Sequence, residues 1–167
     1  MQAGRTARLV IEPIDQQHAE GLFAALDDER VGRFIGGPDV TTLDALRERI
    51  ERKKVGPPAE RDEQWHDLAV IADDVVVGRV EATVHHGIAE VAYVFGPAHW
   101  GNGYATEATI WLLDALRTDG VTTFWATVVP DNHASVALLE RLGFTPAEPG
   151  GLTLLSFDDG DLTYRLG

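Results

Sequence analysis

The residues with the clearest chemical potential lie between Val91 and Leu116. An alternating apolar run ends at Phe95. A glycine-rich turn follows, His99-Trp100-Gly101-Asn102-Gly103-Tyr104-Ala105, and a helical pattern starts at once behind it. Such a turn exposes successive backbone N–H groups at a helix N-terminus, where they and the helix dipole attract phosphate oxygens. Glycine suits the position because the chain must bend tightly and let a ligand approach its backbone. Gly-x-Gly turns also close loops that bind nothing, so the loop alone leaves both readings open. Two familiar phosphate loops are excluded. There is no Gly-x-x-x-x-Gly-Lys-Ser/Thr. The dinucleotide fingerprint needs a small residue at 106, where Thr106 stands, and an early βαβ unit, whereas this loop lies past mid-chain. His85 and His86 are adjacent on a strand and point to opposite faces, with no His-Glu-x-x-His or cysteine pair beside them, so no metal is expected. A Gly-x-Ser-x-Gly elbow and the kinase motif set are missing too.

The elements that would position this loop follow from periodicity. Arg8 to Ile14 reads as a first strand, and Asp15 as the N-cap of a helix with Ala19, Leu22, Phe23 and Leu26 on one face. Asp27 to Asp39 is a polar connection enclosing Phe34 and Ile35. A second helix starts at Thr42 or Asp44, runs through Leu46, Ile50 and Lys54, and stops at Gly56-Pro57-Pro58. Ala59 to Gln64 reads as a loop. Leu68–Ala72, Val75–Val84 and Ala89–Phe95 are three successive strands, turned at Asp73-Asp74 and His86-Gly87. Behind the glycine loop come a helix over Thr106–Leu116 and a strand over Val121–Val129. Pro130-Asp131-Asn132 breaks that strand, and a helix over Ala134–Leu142 is closed by Gly143. Gly151 to Leu166 reads as a hairpin around Asp158-Asp159-Gly160. The order β-α-α-β-β-β-α-β-α-β-β describes one α/β (α+β) domain over residues 1–167, with an antiparallel meander before a strand–loop–helix unit.

Composition bounds the function. The 167 residues suffice for one domain with a core, and the 44% hydrophobic content is that of a globular chain. No apolar run approaches a membrane span, and no signal-peptide core follows Met1, so a cytoplasmic location is expected. Cysteine is absent, which removes disulfides and thiolate chemistry. A net charge of −13 disfavours unspecific binding to nucleic acid and anionic membranes. It is compatible with a cationic substrate such as an amine and equally with a role in solubility alone.

Four places resemble the GNAT superfamily of acetyl-CoA-dependent N-acetyltransferases, in particular the RimJ/RimL-like branch of ribosomal-protein N-terminal acetyltransferases. Arg8-Leu9-Val10-Ile11 before a helix is similar to that branch's opening strand. Glu90-Val91-Ala92-Tyr93-Val94-Phe95 resembles its fourth strand. Trp100-Gly101-Asn102-Gly103-Tyr104-Ala105-Thr106-Glu107-Ala108 resembles its pyrophosphate loop. Asn132-His133-Ala134-Ser135 with Glu140-Arg141-Leu142-Gly143-Phe144 resembles its second cofactor motif. The resemblance implies a mixed central sheet splayed between two parallel strands, ending near Phe95 and starting near Thr123, with pantetheine inserted between them. It implies cofactor contacts from Val94, Phe95, Trp100, Gly101, Asn102, Gly103, Tyr104, Ala105, Thr106, Asn132 and Ser135. Trp100 stands where the wider superfamily often has Arg or Gln, so binding would lean on main-chain N–H groups from Gly101 to Ala105.

The implied reaction is direct attack of an amine on a thioester. The amine must lose a proton, the oxyanion needs a donor, and the leaving thiolate can take a proton. An N–H near Val94 would serve the oxyanion. Glu90, with a pKa raised by a half-apolar cleft, is the first candidate for the base through water, or else a solvated strand-edge residue. Glu81, His85 and His66 are substitutes. Ser135 would contact or protonate the thiolate, or satisfy backbone donors in a helix's first turn. The tyrosine acid of many superfamily members is replaced by Leu139. Asn132 would bond the pantetheine or the adjacent strand, or simply form the turn. Phe34, Trp65, His66 and Tyr93 are candidates for an acceptor pocket, Trp65 being equally readable as core. The acceptor would be a protein N-terminus, a polyamine or a small-molecule amine. The segments that would choose it, Val31–Asp39 and Val55–Trp65, carry no readable motif. The expected protein is a monomer or homodimer. A non-catalytic acyl-CoA sensor on the same scaffold is the alternative. An interaction domain without cofactor is a third reading, which the intact glycine loop opposes.

Overall fold

A computed structural model describes residues 1–35 and 41–167. Residues 36–40, part of one segment expected to choose the acceptor, lie outside them. The strands are β1 (Gly4–Arg5), β2 (Val10–Pro13), β3 (Glu63–Ala72), β4 (Val75–His85), β5 (Ile88–Phe95), β6 (Thr123–Val128), β7 (Thr145–Pro146) and β8 (Leu162–Leu166). The helices are α1 (Ala19–Leu26), α2 (Glu29–Gly32), α3 (Leu43–Val55), α4 (Tyr104–Thr118) and α5 (His133–Arg141). The strands form one eight-stranded sheet in the order β1-β2-β3-β4-β5-β6-β8-β7. Every neighbouring pair is antiparallel except β5–β6, which is parallel.

The meander follows from its turns. Asp73 and Asp74 both take positive φ, as do His86 and Gly87, the left-handed backbone that two-residue hairpins require. Cross-strand register then sorts the side chains by face. Ala89, Val91 and Phe95 of β5 join Leu68, Val70, Val80, Ala82 and Phe124 in the main core, closed by Leu112 and Leu116 of α4 and Leu139 of α5. Each fully buried leucine there contributes about 1.5–3 kcal/mol. On the opposite face α1 and α3 bury Leu22, Leu26, Leu46 and Ile50, with Val94 of β5 packed against them.

Several expectations shift, and the connection expected from Asp27 holds the short helix α2. β3 begins at Glu63, so Trp65 and His66 sit within a strand. α4 starts two residues early, at Tyr104. The tail is not a hairpin beginning at Gly151: β7 is Thr145–Pro146, paired with Tyr164 and Arg165, and the chain between makes a long excursion. The turn residues Asp158-Asp159-Gly160 look like a hairpin centre, but the partner of β8 was already placed by the short link after α5.

Candidate active site

The site begins where the two parallel strands part. β5 and β6 pair at Ile88↔Thr123, Ala89↔Phe124 and Glu90↔Trp125, after which β5 runs on to Phe95 and β6 to Val128. A cleft of about 680 Å³ opens along the parted end of β5. Its walls are Tyr93, Val94 and Phe95, the turn at His99–Gly101 and Gly103, Tyr104–Thr106 of α4, residues 131–135, Leu138 and Arg141 of the α5 region, and Val31, Phe34 and Ile35.

Main-chain direction decides which amides face the fork. Gly96 N donates to Val77 O at 3.0 Å, and the β4–β5 register runs unbroken from Gly78↔Phe95 to His85↔Ile88. Bonded and non-bonded pairs alternate along an antiparallel ladder. Val94 therefore turns its N–H to β4, as Gly96 does, and the amides of Tyr93 and Phe95 face the fork. The Val94 amide is thus turned away from the fork and its two neighbours face it, while Val94 itself both borders the cleft and packs against the α1–α3 cluster. The Phe95 carbonyl is taken by Trp100 Nε1 at 2.7 Å, which fastens the loop to the end of the strand.

The loop itself is held by glycine conformation and by a tether. Gly101 and Gly103 both have φ of +78°, where other residues are strained. Gly103 precedes α4 and leaves the helix's first amides without a side-chain cap. Behind the loop, Arg8 Nη1 donates to Asn102 O at 2.9 Å, and Arg8 Nε and Nη2 reach Glu107 Oε2 at 2.7 and 2.6 Å. The Thr6 hydroxyl and Arg8 N donate to Glu107 Oε1. Burial raises the Glu107 pKa, but these Thr6 and Arg8 bonds outweigh it and hold the carboxyl below its ordinary value. Asn102 Nδ2 bonds His99 O, so this residue braces the turn from behind and is not part of the cleft lining. Neither Thr6, Arg8 nor Glu107 was singled out from sequence for this role; the partners are 99 residues apart, beyond any local spacing signal.

At the other wall, Asn132 Oδ1 accepts from Ser135 N at 3.1 Å and caps α5. Ser135 Oγ lies 2.7 Å from the hydroxyl of Tyr93, which also reaches Ser135 O at 3.2 Å. Burial pushes the Tyr93 phenol up to about 12, against the opposing Ser135 bond. Leu138 lines the cleft, and Leu139 points into the main core.

Glu90 is elsewhere. It is buried on the α1–α3 face beside Trp125 and is not part of the cleft lining. Oε1 accepts from Leu155 N at 2.7 Å and meets His85 Nε2 at 2.5 Å; Oε2 accepts from Ser156 N at 2.9 Å and from the Ser156 hydroxyl. Burial raises its pKa, but the Ser156, Leu155 and His85 bonds win, and the carboxyl sits below its ordinary value. The upward shift expected of a base in a half-apolar cleft is reversed, because every lone-pair direction is already used.

Trp65 and His66 do not join Phe34 and Tyr93 in the cleft. They lie on β3, two strands from β5 and so roughly 10 Å from it. Trp65 donates to Glu63 and stacks under Lys53. His66, on the other face, meets the Met1 amino group at 3.4 Å, and burial followed by that charge lowers its pKa. Glu81 is bonded to Arg79 at 2.7 Å, and Asp67 across from it is raised to about 6 by burial and then by the Glu81 charge.

A mixed sheet forked between two parallel strands, with a glycine-turned helix N-terminus at the fork, defines the acyl-CoA-dependent N-acyltransferase class. The model of the GNAT acetyltransferase domain matches residues 8–145, and the chain belongs to that family. It is therefore an acetyltransferase with acetyl-CoA as acyl donor. It is similar to YoaA, an uncharacterized N-acetyltransferase of Bacillus subtilis (strain 168), at 27% identity over 83% of this chain and 80% of that one. Its fold matches a GNAT-family acetyltransferase from Bacillus anthracis at 20% identity, covering 99% and 98% of the two chains, with a TM-score of 0.76. It also matches RimJ of Mycobacterium smegmatis, solved with CoA-disulfide, at 19% identity, covering 95% and 81%, with a TM-score of 0.77. No helix among the described residues is long and apolar enough to cross a membrane.

The donor fits the residues present. The apolar end of β5 suits a pantetheine arm. At Gly101 an added Cβ would meet nothing within 4 Å, so backbone conformation and an open approach to its amide, rather than crowding, account for glycine there.

Proposed function

We propose that the protein transfers the acetyl group of acetyl-CoA to a primary amine by direct attack within a ternary complex. The amine is that of a protein N-terminus, a polyamine or a small molecule. The observation that carries this reading is the pair of amides, Tyr93 and Phe95, turned into the fork in the same cleft that the glycine loop lines. Main-chain donors fixed in a sheet cost no reorganisation as negative charge develops on a carbonyl oxygen. The amides of Gly101 and of residues 103–106 would hold the diphosphate, and Asn132 the start of α5. The Ser135 hydroxyl would face the departing sulfur. Phe34, with Val31 and Ile35, would form the apolar acceptor side, and Tyr93 would border it.

Glu90 enters this reading as a base only when the Leu155–Ser156 segment releases it, since those residues occupy its oxygens. One observation favours the second reading, a non-catalytic acyl-CoA sensor. Asp131, itself exposed, is the one carboxylate lining the cleft among the described residues. Calorimetry with acetyl-CoA followed by thiol release over a panel of amines separates the two. Turnover on any amine supports transfer, and tight binding with no release on every amine supports the sensor.

A further inference from the structure

Tyr93 lines the cleft, and the roles above leave the chemistry of its phenol unused. Its phenol has one proton and two acceptors within reach, Ser135 O at 3.2 Å and Ser135 Oγ at 2.7 Å. These alternatives are not equivalent. With the phenol proton on the carbonyl, the serine hydroxyl points its own proton at the phenol oxygen, and the pair closes on itself. With the phenol proton on Oγ, the serine proton is released to point into the cleft. A hydroxyl that accepts one hydrogen bond is also polarised to donate a stronger one.

We propose that Tyr93 is a positioning residue that donates to Ser135 Oγ as the Ser135 hydroxyl turns to the departing sulfur, so that the two hydroxyls act as a relay stabilising a thiolate. This rests on the reading of Ser135 given above. It supplies from the strand what the core-facing Leu139 does not supply from the helix. Amine attack forms the C–N bond, the C–S bond breaks, and the sulfur keeps the electron pair. The amine's proton goes to water, and both hydroxyl protons stay on oxygen. Burial pushes the Tyr93 phenol up to about 12. That is a weaker acid than a thiol of about 8.5, so full transfer to the thiolate is disfavoured by roughly three to four powers of ten. The relay therefore works by hydrogen bonding, with the phenol protonated throughout.

The test reads the thiolate directly and needs no acceptor. CoA is bound to the wild-type protein, to Y93F, to S135A and to the double variant, and the pKa of its thiol is followed by ultraviolet thiolate absorbance. One lost hydrogen bond to a charged group is worth roughly tenfold or more. We expect the bound thiol to be about tenfold less acidic in S135A than in wild type. Y93F should show a smaller shift in the same direction, about threefold. The double variant should match S135A. S135T, which keeps the hydroxyl, should stay sensitive to Y93F. A Y93F protein of ordinary melting temperature with wild-type thiol acidity overturns the relay while leaving Ser135 in place, as does a Y93F shift that persists undiminished in the S135A background. Wild-type thiol acidity in S135A overturns the Ser135 reading and the relay with it. Where an amine is turned over, Y93F should lower kcat and leave the KM for acetyl-CoA within about twofold, and a shift in KM alone counts against the relay.

Discussion

Replacing Arg8 with glutamine tests whether the glycine loop is aimed from behind. The substitution removes two contacts to Glu107 Oε2 and one to Asn102 O, and leaves Glu107 its bonds from the Thr6 hydroxyl and the residue 8 amide. A buried charge-assisted bond would count for about 1.5–3 kcal/mol. Here the Arg8 side chain is 49% exposed and that of Glu107 19%, so solvent screens the pair and about 1 kcal/mol is the realistic loss. If that loss appears as disorder of the Gly101–Gly103 turn, CoA binding weakens about fivefold. Acetyl-pantetheine, which lacks the diphosphate, should bind R8Q and wild type alike in competition calorimetry. Arg8→Lys should recover little, since one ammonium does not span both Glu107 and Asn102. The difference should shrink at high salt. Unchanged CoA affinity in an R8Q protein whose melting temperature has dropped would show that Arg8 holds the N-terminal segment only, and the tether argument would fail.

Further outcomes follow from the same geometry. Gly101→Ala should weaken CoA binding through about 1–2 kcal/mol of left-handed strain. Gly120→Ala, with φ of +92° and open space around it, carries similar strain away from the loop and should leave binding unchanged. Glu90→Gln should cost about 1–3 kcal/mol in urea unfolding at neutral pH, because an amide cannot accept all of the bonds that now meet the carboxylate. Since the folded carboxyl lies below its ordinary 4.5, its contribution is present above that value and is lost as pH falls through the folded pKa. The stability gap between E90Q and wild type should therefore close in acid, and a gap independent of pH would contradict a stabilising role for the ionised, fully bonded carboxylate. Leu139→Tyr should destabilise by about 1–3 kcal/mol through overpacking and bring no gain in kcat, because position 139 faces the core. A faster L139Y enzyme would show that the helix can still present an acid.

What was readable in the chain is what neighbours along it decide. The turn at Gly101 and Gly103, the two-residue turns of the meander and the helical stripe of α4 are all set within a few residues. Each depends on local backbone preference or on periodic burial, which spacing records. The misplaced hairpin marks the edge of that information, since Asp158-Asp159-Gly160 is good turn chemistry whatever it joins. The site needed more. Glu90 and Tyr93 lie three residues apart on one strand, yet pleating sends them to opposite faces. One meets Leu155 and Ser156, 65 and 66 residues on, and the other meets Ser135, 42 residues on. Trp65 and His66 looked equally able to reach the acceptor, until sheet order put β4 between them and the fork. The sequence by itself determined the loop, most of the elements and the family. Tertiary structure alone decided which carboxylate is locked, which amides face the fork and which hydroxyl backs the serine, because strand register and sheet order join groups whose separation along the chain carries no signal.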